Sequence, residues 1–301
     1  MSLKMRLVFF GLTGVLAGAL AWPVAEMLLL VQAQFPSLLL FSLTLGLAIG
    51  VLMGGAFGAA EGIVTASAAK VRTGVLAGFI IGGIGGMVGF VVGQGALLLV
   101  GTSFFNSASS FRSVGLPVSK AIGWAAFGLF LGSVEGARSR SFLAVRNGVF
   151  GGLIGGFLGG LAFEFIRGAD PGNTVSRLVG LIVLGLSIGL FYALVELQFS
   201  GASMYLLNGK NRGREFPITK AVTSIGSSEA ADICIPGYAR VMPFQAEVHR
   251  KGKGKYVLVN SGESGRAVTM INDKRPESEE VPLAKDSVVR VGTAQFRFHK
   301  K

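Results

Sequence analysis

The chain has 301 residues, of which 51% are hydrophobic and 15% charged, with a mean hydropathy of +0.62 and 46 glycines. That composition excludes an ordinary soluble globular domain, in which about a quarter of residues are charged, and points to a membrane protein. The single cysteine, Cys234, excludes an internal disulfide and a cysteine-based metal site, and fits strand packing in a reducing compartment.

Charge is distributed unevenly. Residues 1–202 hold 11 Lys and Arg, 6 Asp and Glu, and 37 of the glycines, whereas residues 203–301 hold 17 basic and 10 acidic residues and both histidines. The expected organisation is a glycine-rich transmembrane domain over 1–202 and a second domain over 203–301.

A bilayer core requires about 20 apolar residues per helix. Six stretches meet or approach that length, at about 6–31, 37–61, 73–101, 119–136, 147–166 and 177–199. Basic residues concentrate in alternate connections: Lys4 and Arg6, then Lys70 and Arg72, then Arg138, Arg140 and Arg146. The positive-inside rule places those connections and both termini in the cytoplasm, and the plasma membrane of a prokaryote is the expected location. The first stretch also has features of a cleavable signal peptide, with Lys4 and Arg6 before an apolar run and small residues at Ala19-Leu20-Ala21. Its apolar run continues past Pro23 to Val31, which favours a retained span.

GVLAGFIIGGIGG from Gly74 aligns without gaps on GVFGGLIGGFLGG from Gly148, and the same 74-residue offset pairs Arg72 with Arg146 and Glu61 with Glu135. A looser third copy joins the first stretch to the last, around Glu196. Three parallel helical hairpins are the expected plan. Glycine recurs at every fourth position, as in Gly46, Gly50, Gly54, Gly58 and Gly62. That spacing lines one helix face with residues that let a neighbouring backbone approach closely, which predicts a glycine-zipper packing rather than a pore.

Ionisable residues inside such segments are functional candidates. Glu26 shares a turn with Pro23, while Glu61, Glu135 and Glu196 recur at equivalent helix ends within reach of the linker bases. Because residues 1–202 contain no histidine, a His-based proton relay or metal site is unavailable there.

From Ser203 onward, short β-branched runs alternate with turn residues: MYLLN, REFPIT, VTSIG, ADICI, QAEVHR, KYVLV, AVTMI, EVPL, SVVRVG and AQFRFH. About ten strands in under 100 residues predict an antiparallel all-β sandwich, with Asn208-Gly209 and Lys253-Gly254 supplying hairpin-type turns.

The order of these pieces resembles a forkhead-associated (FHA) domain from about Met204 to His299. The resemblance is carried by LLNGKNRGREFPI, Ser224-Ile225-Gly226, Asp232-Ile233-Cys234-Ile235, Ala246-Glu247-Val248, Ile271-Asn272 and Val289-Arg290-Val291-Gly292. FHA domains recognise phosphothreonine peptides, so the resemblance implies a binding module rather than an enzyme. The family usually holds the phosphate through an arginine after the Ile-Gly pair, a Ser-x-x-His run and a following asparagine. Here those positions are Ser227, Met242 and Gln245; only Asn272 matches, followed by Asp273 where the family has glycine. One hydroxyl at Ser227 is a poor substitute for a bidentate guanidinium.

These features predict a partner-binding face at Ser227, Arg240, Met242, Pro243, Phe244, Gln245 and Asn272 that uses apolar and polar contact. A displaced anion site using Arg240 with Lys251, Lys253 and Lys255 is an alternative, as is contact between that basic face and anionic lipid. The expected function is a membrane-anchored adaptor or scaffold in signalling, with a protein partner, a lipid bilayer around it, and homo- or hetero-oligomers as further expectations. The rivals are a channel or transporter regulated by the FHA-like domain, and a structural subunit of a membrane complex. No nucleophile with a base, paired carboxylates or metal-ligand cluster stands out, so no enzyme, metal or cofactor is expected. Nucleic acid is excluded because basic residues and aromatics are not interleaved as a stacking surface requires.

Overall fold

The computed structural model describes residues 3–65, 67–103, 111–170, 172–199, 201–209, 212–252, 254–260, 269–272 and 280–300. The expected residues Lys253 and Asp273 lie outside that set. The chain forms two compact units, Leu7–Glu196 and a second made of Leu197–Lys301 with Met1–Arg6.

The first unit is helical: α1 (Leu3–Leu30), a 3₁₀ turn at Gln32–Gln34, α2 (Leu38–Thr65), α3 (Ala68–Ser103), a π turn at Phe111–Gly115, α4 (Leu116–Arg138), α5 (Phe142–Ala169) and α6 (Thr174–Phe199). All six α-helices are long and apolar enough to cross a membrane. Serine hydroxyls cap two equivalent starts. Ser67 Oγ accepts from Lys70 N at 3.3 Å before α3, and Ser141 Oγ accepts from Ala144 N at 3.3 Å before α5. Each satisfies one of the amides that a helix start leaves unpaired.

Close helix approach follows from the glycines. A Cβ on Gly58 would overlap the Gly74 carbonyl and the reverse; Gly54 and Gly78 relate in the same way, as do Gly132 with Gly148 and Gly128 with Gly152. α1 meets α6 through a similar reciprocal contact between Gly14 and Gly185. The remaining interior is filled by Met53, Phe127, Leu181, Leu184 and Ile188, all at most 2% exposed.

The second unit is a sandwich of two five-stranded sheets. Its strands are β1 (Ala202–Leu206), β2 (Glu215–Pro217), β3 (Val222–Gly226), β4 (Ile233–Cys234), β5 (Ala246–Lys251), β6 (Lys255–Asn260), β7 (Thr269–Ile271), β8 (Glu280–Pro282), β9 (Val288–Val291) and β10 (Ala294–Lys300). One sheet runs β2-β1-β10-β9-β7 and the other β4-β3-β5-β6-β8. The all-antiparallel expectation needs one correction: β3 and β4 are parallel, with Ile225 opposite Ile233. A two-residue strand has too few side chains for its direction to show in alternation. Met204, Ile225, Val248, Val289, Phe296 and Phe298 meet between the sheets with no exposed surface, each such burial stabilising the fold by about 1.5–3 kcal/mol.

Asp232 locks the loop that enters β4. Its carboxylate accepts from Lys220 Nζ at 2.5 Å, Ser224 N at 3.0 Å and Ser224 Oγ at 3.1 Å. Burial alone would raise this carboxyl, but Lys220 and the Ser224 hydrogen bonds outweigh it and hold it below the usual carboxylate range. The unfolded chain therefore takes up the proton first as pH falls, so this stabilisation is complete above about pH 4 and lost as pH drops through the folded value. Acid titration of sandwich unfolding is expected to show that decline, and Asp232→Asn to lower the neutral plateau and flatten the slope. An unchanged acid profile in the variant would assign the sensitivity to other groups.

Candidate functional site

Two loops at one end of the sandwich carry most of the expected binding residues: residues 227–232 between β3 and β4, and 235–245 between β4 and β5. Gly226 makes their approach possible, because a Cβ there would overlap the Pro243 carbonyl. Ser227 N then donates to Met242 O at 2.9 Å and Ser228 N to Pro243 O at 3.2 Å. From the other side, Thr293 N donates to Ala239 O at 3.1 Å, and Gly292, at φ 58°, has the Ala239 and Arg240 carbonyls where a side chain would sit. Tyr238 closes the base by donating its hydroxyl to Asn208 O at 2.6 Å. The longer loop is therefore pinned along its length, so what it presents is fixed by the fold.

Arg240, Pro243 and Phe244 are exposed, Phe244 by 46% for a large aromatic ring. Met242 is half-buried beside them. Arg240 adopts φ 59°, a left-handed conformation that a non-glycine residue holds only when its surroundings impose it. Ser227, also half-buried, spends its hydroxyl internally by donating to Val241 O at 3.3 Å. Arg240 is the only cation within the two loops, and Glu229 and Asp232 are their acids.

Two expected contact residues have other work. Gln245 is fully buried, so its side chain does not face outward as expected. Its Oε1 accepts from Met242 N at 3.2 Å and its Nε2 donates to Thr269 Oγ1 at 3.2 Å, which in turn donates to Asn260 Oδ1 at 3.1 Å. This chain ties the recognition loop to β7 of the opposite sheet. Removing it leaves the part-buried Met242 amide without its acceptor and Thr269 Oγ1 without its donor, at about 1–3 kcal/mol. Gln245→Ala is accordingly expected to destabilise the sandwich by that amount and speed hydrogen exchange at the Met242 amide; wild-type exchange there would contradict the strut. Asn272 is exposed with φ 50° and ends β7, its Oδ1 accepting from Val288 N at 2.8 Å. It shapes a turn, and its register is fixed by a second bond from its own N–H to Val288 O at 2.8 Å.

On the basic face, Lys251 is paired with Glu280 at 2.5 Å. That hydrogen bond and charge hold the exposed Glu280 carboxyl below its usual range.

Among the membrane-unit acids, Glu26 forms a two-pronged pair with Arg177, at 2.5 and 2.7 Å. Glu135 is paired with Arg138 at 2.6 Å, and with Glu61 and Tyr192 it lines a cavity of about 10 Å³, room for one water. Glu196 is buried near the end of α6. Sequence reasoning passed over Glu164, which is 6% exposed and meets Arg167 at 2.7 Å, Lys120 at 3.5 Å and the Trp124 indole N–H at 3.3 Å. Its i,i+3 spacing to Arg167 was visible; Lys120 and Trp124 come from a helix some 40 residues earlier. Among the described residues, no group of His, Cys, Asp and Glu side chains could hold a metal ion.

A family model for the FHA domain matches residues 223–292. No curated protein matches the chain. Solved structures similar to it include the FHA domain of a Chlamydia trachomatis protein (19% identity, 33% of this chain and 97% of that one, TM-score 0.30). The yeast Dun1 FHA domain, in complex with a doubly phosphorylated peptide, shares 20% identity over 33% of this chain and 72% of that one, at TM-score 0.28. The FhaA FHA domain, complexed with the intracellular domain of another protein, shares 20% over 33% and 99%, at TM-score 0.28. The family-model match over residues 223–292, lying within this two-sheet sandwich, makes the C-terminal region of this chain an FHA domain.

Proposed function

We propose that this protein is a membrane-anchored adaptor that docks a protein partner through the FHA recognition loops without relying on a phosphate. The observation that carries the proposal is the loop surface itself. Where phosphate capture needs a guanidinium there is Ser227, already bonded to Val241 O, while Pro243 and Phe244 stand exposed on a pinned loop. A large aromatic ring held rigidly in solvent is the kind of anchor that dominates protein interfaces. The six apolar helices hold the module at a prokaryotic plasma membrane with both termini in the cytoplasm, in keeping with the basic connections at Lys70, Arg72, Arg138, Arg140 and Arg146. The glycine-lined pairs α2–α3 and α4–α5, repeated at a 74-residue offset, act with the looser pair α1–α6 as a rigid anchor or oligomerisation platform. The role is one of binding, with no catalysis and no nucleic acid.

Affinity capture with the full chain from solubilised membranes tests docking, set beside a chain lacking residues 203–301. A stoichiometric partner retained only by the full chain supports the adaptor. A partner retained equally by both chains would move the function to the helices and favour a structural subunit of a larger complex.

A cavity beside Glu26 favours a second reading, a channel or transporter regulated by the FHA domain. That reading requires flux in liposomes that falls on Glu26→Gln.

A further inference from the structure

The membrane unit contains a cavity of about 320 Å³ to which all six helices contribute. It lies toward the end of the bundle where α1 and α5 finish and α4 and α6 begin. Its wall is largely apolar, formed by side chains such as Leu45, Ile49, Phe90, Phe127, Phe163 and Leu181. Such a wall has no use for water, and its volume sits at the lower edge of small-ligand pockets.

The charges lining it do not balance. Glu26 and Arg177 answer each other with two short hydrogen bonds, and Glu164 is left to serve both Arg167 and Lys120. Among the described residues, three cations thus face two carboxylates. Arg167 takes the closer position at 2.7 Å, whereas Lys120 stands at 3.5 Å with its side chain one-third exposed. Trp124 fixes the other oxygen of Glu164 through its indole N–H, so the carboxylate cannot swing to suit Lys120 better. An ammonium with donors to spare, beside a low-dielectric wall, attracts an anion more strongly than it would in water.

We propose that this cavity binds an amphiphile with one compact anionic head, a phosphate or a carboxylate, held by Lys120 and Arg167, and with one alkyl chain along the apolar wall. At about 30 Å³ per heavy atom the space holds roughly ten, which accommodates the head and the first carbons of a single chain, the remainder leaving through the open side of the cavity. That chemistry is available from a free single-chain acid or from one arm of an anionic phospholipid. The site is independent of the docking loops, so failure of the adaptor reading leaves it standing.

The test uses the full chain in digitonin micelles, which contribute no alkyl chain, with radiolabelled laurate as the probe. One saturable equivalent is expected, with dodecyl phosphate competing and with dodecanol and inorganic phosphate each at least tenfold weaker. Lys120→Gln is expected to weaken laurate at least tenfold and leave dodecanol unchanged. Gly93→Leu fills the chamber from a position whose Cβ has only ordinary contact, 3.4 Å from Gly123 Cα, and is expected to abolish binding of both. Phosphatidylglycerol displacing laurate supports the site with a membrane lipid as its source; laurate that resists displacement supports it with a free acid. Dodecanol binding as tightly as laurate, absence of saturable binding, or indifference to both substitutions would overturn the proposal.

Discussion

Gly132→Leu is expected to prevent the α4–α5 hairpin from closing, with loss of the monodisperse species in size-exclusion chromatography. A Cβ at this position would overlap the Gly148 carbonyl, and the partner glycine stands in the same relation to Gly132. Neither backbone can retreat alone, because Gly128 and Gly152 make the same contact one turn away. The helices would have to separate by the width of a side chain, giving up packing along several turns. That class of disruption costs about 4 kcal/mol or more, enough to lower the melting temperature by roughly 10 °C in a unit of this size. Gly95 and Gly168 supply the control, since nothing lies within 4 Å of a Cβ built at either. Alanine there is expected to be neutral or to stabilise by a few tenths of a kcal/mol, through reduced freedom of the unfolded chain. Equal damage at Gly95 and Gly132 would show that glycine content, rather than close contact, is what matters.

The second large effect belongs to the sandwich. Phe244→Asp is expected to weaken capture of the docked partner about thirtyfold to a hundredfold, corresponding to roughly 2–3 kcal/mol for a central aromatic anchor. The ring is 46% exposed and the loop beneath it is held by backbone hydrogen bonds from Ser227, Ser228 and Thr293. Folding should therefore survive the change, with an unaltered melting transition. Gln245→Ala acts differently: it loosens the loop from inside and lowers sandwich stability together with affinity. Full-strength capture by Phe244→Asp would remove this loop from the interface.

Much of the architecture was legible because it rests on one-dimensional quantities. The six helices announce themselves through apolar length, and the ten strands through alternation between turn residues. Ser67 and Ser141, serine caps before equivalent helices, stand at the same 74-residue offset as the glycines they introduce. What was hidden depends on contacts between distant residues. Gln245 occupies a position that the FHA pattern would put at the binding surface, yet it precedes buried Ala246 and is itself buried. Two consecutive inward residues break the strand alternation, and only the position of Thr269 across the sandwich explains why. Asn272 likewise matches the family pattern, and its carbonyl oxygen holds the Val288 amide. The surroundings of Glu164 were hidden for the same reason: its spacing to Arg167 shows in the sequence, but nothing near it shows that Lys120 and Trp124 close around it. Ser227 and Met242 were legible as departures from a known pattern, because a missing guanidinium or hydroxyl is a property of the residue itself.

Phosphate-independent docking is tested most directly by titrating the full chain in detergent with a library of phosphothreonine peptides and their dephosphorylated counterparts. No preference for the phosphorylated form is expected, since Ser227 offers a hydroxyl already bonded to Val241 O and Arg240 is the one cation of the two loops. Micromolar binding that disappears on dephosphorylation, and that survives Phe244→Asp, would contradict the proposal and restore phosphopeptide capture as the function of this domain.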